Sequence, residues 1–220
     1  FVKKINNTKI PLSRNIYIVL KYNVSYMKKP IVHKKYLKLY EETAMSRIFS
    51  VLFKSPEKEF SLSDLAKEAG VAKANIGRLL KELYNSEIIH IEKLSKIWRI
   101  KANQKNWVFI KSKIVYNLNF IYQSGLVEFL VDHFHTPRSI TLFGSFRNGE
   151  DLSTSDIDIA IESDEAKEYK VIELRELSGF EKTIDRKIQL HLFNRNNIEV
   201  GVFNNIANGI RLFGFLEVKP

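Results

Sequence analysis

Residues 139–161 combine a short apolar run, a glycine turn and a run in which acidic and apolar residues alternate. Ser139–Phe143 (SITLF) is rich in β-forming residues and predicts a short strand. Gly144 follows directly and predicts a turn or helix start, because glycine accepts backbone conformations that other residues avoid. Asp156 and Asp158 then alternate with isoleucine, which is the pattern of a half-buried strand. The segment therefore predicts strand, turn and strand, with two carboxylates on the second strand.

The two aspartates share one face if their run is a strand. Residues i and i+2 of a strand point the same way and lie about 7 Å apart at the backbone. Like charges placed together are costly unless a cation lies between them, and carboxylate oxygens suit Mg²⁺. Free backbone N–H groups at the glycine turn, with the hydroxyl of Ser145, can hold a phosphate. The spacing therefore predicts neighbouring metal and phosphate sites, as phosphoryl or nucleotidyl transfer requires.

The full spacing is G-S-x(3)-G-x(5)-S-D-x-D-I, and it resembles the signature of the polymerase-β nucleotidyltransferase superfamily. The version LFGSFRNGEDLSTSDIDIAIE is similar to the minimal branch of that superfamily, and the resemblance extends over about residues 126–216. It implies an NTP substrate, here expected to be ATP, with Mg²⁺ or Mn²⁺ as cofactor. The resemblance also implies nucleotide-binding residues, which are Gly144, Ser145 and Arg147, and catalytic, metal-binding carboxylates, which are Asp156 and Asp158.

One expected carboxylate is missing from the sequence. The family usually carries it in a later segment like R-K-V-D-L, and the matching run here is RKIQL, so Gln189 stands where the aspartate is expected. A glutamine amide is a weaker metal ligand and cannot act as a base toward an attacking hydroxyl. Two nearby residues are possible substitutes: an unbroken strand would point Asp185 the same way as Gln189 but about 13 Å away, whereas His191 would share its strand face and could accept a proton. We favour neither on the sequence alone.

A second group of signals precedes this segment along the chain. Apolar spacing, serine caps and a helix-ending glycine predict helices that are followed by a β-hairpin. The predicted elements are a helix over about 41–52, a short helix begun by Ser61 or Ser63 and ended by Gly70, an amphipathic helix over 71–88, and β-rich runs over 88–91 and 97–100.

This order resembles a winged helix-turn-helix domain of the archaeal and bacterial regulator type, over roughly residues 42–103. The resemblance implies a helix that fits the DNA major groove. Four basic or amide side chains lie off its apolar face and are the predicted DNA contacts, namely Lys73, Asn75, Arg78 and Lys81. A module that only packs on its neighbour or dimerises remains the alternative.

The net charge of +10 is concentrated at the beginning of the chain. Residues 1–40 hold ten Lys and Arg and no Asp or Glu, whereas residues 41–104 and 105–220 are each close to neutral. This asymmetry predicts either a polyanionic partner or a solvated basic tail. The first methionine is Met27, so a fragment or a start assigned too far upstream explains the segment as well as a real arm does. Residues 16–20 (IYIVL) could form a strand.

Composition and boundaries define the expected organisation. The chain of 220 residues has no cysteine, which excludes disulfides, thiol catalysis and Cys-type zinc sites and suits a reducing cytoplasm. No apolar window approaches the ~18 residues of a membrane span. We expect an α+β fold in which a winged helix-turn-helix precedes a small mixed-sheet nucleotidyltransferase domain. The expected segments are a basic extension over 1–40, the winged helix over 41–104, a linking helix over 105–125 and the nucleotidyltransferase domain over 126–220.

Two functional hypotheses follow from these features. The first is an enzyme that transfers a nucleoside monophosphate from an NTP to a hydroxyl, on a protein such as a separate HEPN-type toxin, because minimal nucleotidyltransferases often serve as antitoxins. The second is a DNA-binding transcriptional regulator or antitoxin whose nucleotidyltransferase-like domain is catalytically degenerate. The two same-face aspartates favour the enzyme, and Gln189 favours the regulator. We favour the enzyme, and homodimerisation stays open.

Overall fold

The computed structural model describes residue 32, residues 43–94 and residues 97–218. Apart from residue 32, the basic segment 1–40, with the strand predicted over 16–20, lies outside the described residues. The helices are α1 (Ala44–Lys54), α2 (Leu62–Glu68), α3 (Lys73–Asn85), α4 (Trp107–Gln123), α5 (Leu126–His133), α6 (Gly144–Asn148), α7 (Ser178–Ile184) and α8 (Val200–Ala207). The strands are β1 (Ile89–Leu94), β2 (Ile97–Ala102), β3 (Ser139–Phe143), β4 (Ile157–Glu162), β5 (Lys170–Ile172), β6 (Ile188–Phe193) and β7 (Ile210–Gly214). No helix within these ranges has the length and apolar character that crossing a membrane requires.

Helices α1 to α3 and the β1–β2 hairpin form one part of the molecule, here called the helix–hairpin module (residues 43–102). Ser61 is the N-cap of α2, as one of the two sequence alternatives predicted, and its hydroxyl accepts from the N–H of Asp64 at 3.1 Å. Gly70 ends that helix region in the left-handed conformation, with φ of 60°. The two strands are antiparallel, and both extend beyond the predicted β-rich runs.

The predicted apolar face of α3 is confirmed. Ile76, Leu79, Leu80 and Leu83 are its buried residues, and they join a core with side chains of α1, α2 and the hairpin. Phe60, between α1 and α2, bridges to Ile100 of β2 with backbone hydrogen bonds in both directions. The core thus fixes α3 with its polar face turned outward.

The remaining strands form a five-stranded sheet in the order β5-β6-β4-β3-β7. Strands β4 and β6 are parallel, whereas the other neighbours are antiparallel. Alternation along β4 divides the sheet into two faces. Ile157, Ile159 and Ile161 pack with α4, α5 and α7, whereas Ala160 packs on the opposite face with the region of α8. Asp158 lies on this second face.

Helix α4 belongs to both cores. Its first half contributes Phe109 to the core of the helix–hairpin module, and its second half contributes Phe120 and Ile121 to the core under the sheet. Tyr116 lies between these positions and packs partly against both. The helix begins at an effective cap, because the side chain of Asn106 accepts from two backbone N–H groups at 2.8 and 3.0 Å.

A buried polar group lies beside α4, and we call it the Asp151 cluster (Lys113, Asn117, Asp151 and Arg186). The side chains of Lys113 and Asp151 are each 1% exposed, and their Nζ and Oδ1 atoms lie 3.1 Å apart. Asn117 donates from Nδ2 to Oδ1 of Asp151 at 2.9 Å. Arg186 approaches Oδ2 at 3.7 Å. Burial lowers the pKa of Lys113 although the charge of Asp151 opposes this shift. The cluster anchors the start of the loop that leads into β4.

Candidate functional site

Strands β4 and β6 place three polar side chains on one face of the sheet. In their parallel register Asp158 lies opposite Gln189, and Ala160 lies opposite His191. Gln189 and His191 are two residues apart on β6, so both point to the face that carries Asp158. The sequence prediction that Gln189 and His191 share a strand face is confirmed.

Asp156 lies one residue before the strand on which the sequence predicted it. Strand β4 begins at Ile157, so Asp156 ends the preceding loop and is not part of the strand. The backbone N–H of Ile157 already donates to the carbonyl of Lys187 at 2.8 Å, which starts the pairing with β6. Asp156 nevertheless reaches the site, because its Oδ2 accepts from Nε2 of Gln189 at 2.6 Å. The carboxylates of Asp156 and Asp158 therefore lie on the same face of the sheet, where they contact Gln189 and His191 of β6.

Asp158 is held by two hydrogen bonds in series, from His191 to Asp158 and between His191 and Tyr169. Nε2 of His191 lies 3.2 Å from Oδ1 of Asp158, and Nδ1 lies 2.7 Å from the hydroxyl of Tyr169. Burial and the charge of Asp158 raise the pKa of Tyr169, which keeps its hydroxyl protonated and able to donate to Nδ1. In the tautomer that accepts from Tyr169 at Nδ1, the ring donates from Nε2 to Asp158. Both ring nitrogens are engaged, so His191 orients Asp158 and offers no free proton acceptor.

Asp185, the other substitute considered for the missing carboxylate, is not on the strand that carries Gln189. The sequence argument assumed an unbroken strand from Asp185 to Gln189, and this assumption is wrong. Strand β6 begins at Ile188, and Asp185 is the left-handed C-cap of α7, with φ of 60°. The helix end turns the chain before the strand starts, so the strand alternation does not extend to Asp185. Tyr169 was missed entirely, because its contact depends on the distant pairing of β5 with β6.

Gly144 brings the β3–α6 turn against Asp158. Its φ is 74°, a left-handed conformation that favours glycine, and Phe143 before it pairs in register with Asp158. A Cβ at this position would collide with Oδ2 of Asp158. Glycine is therefore required for both conformation and space. The turn predicted to hold phosphate and the carboxylate predicted to hold metal are adjacent, as the sequence spacing implied.

The other two predicted nucleotide contacts follow Gly144 on the short helix α6. Ser145 and Arg147 are both half-buried there. Nε of Arg147 is buried and has no hydrogen-bond partner within the described residues. Among those residues no ion pair joins Arg147 to either aspartate. Arg147 thus lies on the helix that Gly144 begins, but it forms no ion pair with Asp156 or Asp158 among the described residues.

The carboxylate pair is suited to a divalent cation. Within residues 43–94 and 97–218, no lysine or arginine forms an ion pair with Asp156 or Asp158. The same ranges contain no group of three or more His, Asp or Glu side chains arranged for a metal ion. Mg²⁺ is commonly bound through one or two carboxylates, with substrate phosphates and water completing its coordination. Asp156 and Asp158, which pair with no lysine or arginine among the described residues, are the side chains that could hold Mg²⁺ in that mode.

Asp156 also lines an open pocket of about 630 Å³, to which Gly144 does not contribute. Three segments contribute to it, namely the loop before β4, helix α7 and the residues before β6. Its other lining residues are mainly hydroxyl-bearing or charged, namely Ser153, Thr154, Ser155, Ser178, Glu181, Lys182, Asp185, Arg186 and Lys187. Sequence reasoning missed this pocket because no one segment contains enough of it to form a motif.

Comparison with known families agrees with this geometry. Residues 124–212 match the family model described as a nucleotidyltransferase domain. Comparisons with curated proteins and with solved structures gave no match. The matched residues include both aspartates, Gly144, Gln189 and the His191–Tyr169 pair, and they exclude the helix–hairpin module. Residues 124–212 are thus similar to nucleotidyltransferase domains.

Proposed function

We propose that this protein is a Mg²⁺-dependent nucleotidyltransferase that moves a nucleoside monophosphate from an NTP, here ATP, to a hydroxyl group on a protein. The observation that carries the proposal is the close approach of the Gly144 turn to Asp158, with Asp156 held on the same sheet face by Gln189 and no lysine or arginine paired with either carboxylate among the described residues. The family match supports nucleotidyl transfer in general. The protein acceptor follows from the resemblance to minimal nucleotidyltransferases, and we propose a separate HEPN-type protein.

The proposed roles follow from the geometry. Gly144 lets the turn lie directly against Asp158, so a phosphate bound by the backbone N–H groups and the Ser145 hydroxyl of this turn would lie beside that carboxylate. Mg²⁺ held by Asp156 and Asp158 would neutralise charge that develops on the phosphoryl oxygens. The acceptor oxygen forms a bond to the α-phosphorus while the bond from that phosphorus to the bridging oxygen breaks, and pyrophosphate leaves. The acceptor hydroxyl gives its proton to solvent because Gln189 cannot take it, and we therefore expect slow transfer.

A labelling experiment tests this proposal. NTPs labelled at the α-phosphate are incubated with the protein, Mg²⁺ and a cell lysate as the source of acceptors. We expect the wild type to label an acceptor and Gln189→Asp to accelerate labelling by about 10²-fold or more, since a positioned base contributes 10²–10⁴-fold. Gln189→Ala is the matched variant that removes the amide without adding a carboxylate. It should not accelerate labelling.

A second candidate function is favoured by one observation. The amide of Gln189 donates to Asp156 at the position where the resemblance implies a third carboxylate, and an amide there is a weaker metal ligand and no base. On this basis the domain would bind a nucleotide without turnover and would serve a DNA-binding regulator or antitoxin. Label that appears only with Gln189→Asp would support this second function, whereas label from the wild type would exclude it.

We also propose that the helix–hairpin module is a winged helix that binds DNA. Helix α3 turns its apolar face into the core and leaves four polar side chains exposed, which are Lys73, Asn75, Arg78 and Lys81. Among the described residues none of the three basic side chains forms an ion pair, so each is available for a phosphate. A helix in the major groove can place such side chains on phosphates and base edges.

Removing two of these charges tests the DNA proposal. We expect Lys73→Ala combined with Arg78→Ala to weaken DNA binding roughly 10- to 100-fold near 0.1 M salt and to reduce the slope of log K against log[salt] by about 2. Fluorescence anisotropy at several salt concentrations measures both quantities. Lys58→Ala with Arg99→Ala is the control, because both side chains pair with glutamates in the same module. An unchanged slope in the α3 variant would identify the module as one for packing or dimerisation.

A further inference from the structure

The loop that ends in Asp156 is held by the helix–hairpin module. The backbone N–H of Ser153 donates to both carboxylate oxygens of Glu57, at 3.1 and 3.3 Å, and the Ser153 hydroxyl donates to the same carboxylate. Glu57 lies in the turn after α1, 96 residues away in sequence. The contact therefore joins the helix–hairpin module to the loop only three residues before Asp156.

A second contact joins the same two parts of the molecule. Nη2 of Arg186 donates to the carbonyl of Lys54, at the C-terminal end of α1, at 2.6 Å. The side chain of Arg186 is 3% exposed, and it belongs to the Asp151 cluster. Arg186 lies two residues before β6, the strand that carries Gln189. The end of α1 and the turn after it thus contact both segments that meet in the Asp156–Gln189 hydrogen bond.

The carboxylate of Glu57 is charged in this contact. Burial raises its pKa, but the hydrogen bonds from Ser153 and the charge of Arg186 outweigh burial and hold the pKa below its ordinary value. Hydrogen bonds to an ionised acceptor are about twice as strong as neutral ones. Glu57 is therefore a strong anchor for the middle of a loop whose first part is held by the Asp151 cluster.

The remaining part of the loop depends on that anchor. Within the part of the chain that the structure describes, the Ser155 side chain makes only a local contact, accepting from the N–H of Leu152 at 2.9 Å. Asp156 itself is held on the sheet side through one hydrogen bond, from Nε2 of Gln189 at 2.6 Å. Nothing in the described residues on the sheet side replaces Glu57 as a partner for Ser153. The position of the Asp156 carboxylate is therefore set in part from outside the domain that carries it.

We propose that Glu57 is a positioning residue for nucleotidyl transfer, which acts through Ser153 to hold Asp156 where it binds the metal of the nucleotide complex. This inference rests on the function proposed above. Partners that hold metal ligands in place change metal affinity or activity by about 10- to 100-fold when they are removed. Loss of Glu57 should therefore weaken the metal-dependent part of nucleotide binding and leave the metal-independent part unchanged.

Calorimetric titration of the full chain with ATP, with and without Mg²⁺, tests this role. We expect Glu57→Ala to raise the Kd for ATP with Mg²⁺ by about 10-fold and to leave binding without Mg²⁺ unchanged. Glu57→Gln keeps an acceptor for the Ser153 N–H and should recover part of the affinity. Glu59→Ala is the matched control, because Glu59 lies in the same turn and pairs with Arg99. Combining Ser153→Ala with Glu57→Ala should add little to Glu57→Ala alone.

The outcomes separate this inference from the function on which it rests. Mg²⁺-dependent binding by the wild type that Glu57→Ala, Ser153→Ala and Glu59→Ala all leave unchanged would overturn the role of Glu57 and keep the proposed function. A wild type without any Mg²⁺-dependent ATP binding would overturn both. Equal weakening with and without Mg²⁺ in Glu57→Ala would identify general loosening of the module contact and would also overturn the inference. Thermal unfolding of each variant identifies any that fails to fold, and Ser153→Ala then replaces Glu57→Ala.

Discussion

Exchange of Asp158 for asparagine is expected to reduce labelling from α-labelled NTP by about 10³-fold or more, because a metal ligand at the reacting phosphate contributes several kcal/mol to transition-state stabilisation. Asparagine has the same shape, and its carbonyl oxygen can still accept from Nε2 of His191. The contact with Gly144 is also preserved, since no atom is added. The change therefore removes charge while leaving the packing of the site as it is. The labelling assay with the full chain measures the effect.

Asp164→Asn is the control for this exchange. Asp164 follows β4 and pairs at the surface with Arg138, where both side chains are more than half exposed. We expect it to have wild-type activity, since exposed ion pairs contribute little. The free energy of unfolding of Asp158→Asn should equal or exceed that of the wild type, because one of two neighbouring negative charges is gone. Wild-type labelling by Asp158→Asn would exclude Asp158 as a metal ligand in the reaction.

Exchange of Asp151 for alanine is expected to lower the free energy of unfolding by roughly 3–5 kcal/mol, the usual cost of removing one partner from a buried ion pair. Asp151 faces Lys113 at 3.1 Å and accepts from Asn117, and all of these side chains are buried. Without the carboxylate, two cations would remain in the Asp151 cluster without a compensating anion. Urea unfolding followed by circular dichroism measures the loss. Asp164→Ala, at an exposed pair, should cost no more than about 1 kcal/mol.

The pH dependence of stability gives a second measurement on the same cluster. The pKa of Lys113 in the folded protein lies below its ordinary value of 10.5, chiefly because of burial. Between the folded and unfolded pKa values the unfolded chain binds more protons, so the free energy of unfolding rises with pH in that window. Asp151→Ala removes the charge that opposes the shift, so the window should widen toward lower pH. A loss of under 1 kcal/mol with no change in pH dependence would contradict the buried ion pair.

Local signals in the sequence predicted much of the fold and part of the site. The strand Ser139–Phe143 has the predicted bounds, and the apolar face of α3 is the predicted one. These features depend on periodicity and on residues with special backbone geometry, and both are visible within a few neighbouring positions. Gly144 belongs to the same class, since its left-handed turn follows directly from the strand before it.

Features that depend on distant pairing were beyond the sequence. Asp156 lies just outside its strand because the strand starts where β6 begins to pair, and the sequence does not state that register. Tyr169 reaches His191 only through the β5–β6 pairing. Lys113 has the composition of a surface residue and is buried only because Asp151 compensates its charge. Each of these positions depends on a contact with a residue from a distant segment. The secondary-structure propensity of a residue carries no information on which distant residue it will contact.

The family model and the Asp151 cluster have different boundaries. The model begins at residue 124, yet Lys113 and Asn117 lie before that point and supply partners to Asp151 inside it. A transplant of residues 124–212 into another protein would therefore carry a buried carboxylate without its counter-charge. Recombination that exchanges this domain as a unit must bring helix α4 along, or must replace Asp151 with an apolar residue in the same step. The stretch that must stay together for the domain to fold is thus longer than the stretch that the family model matches.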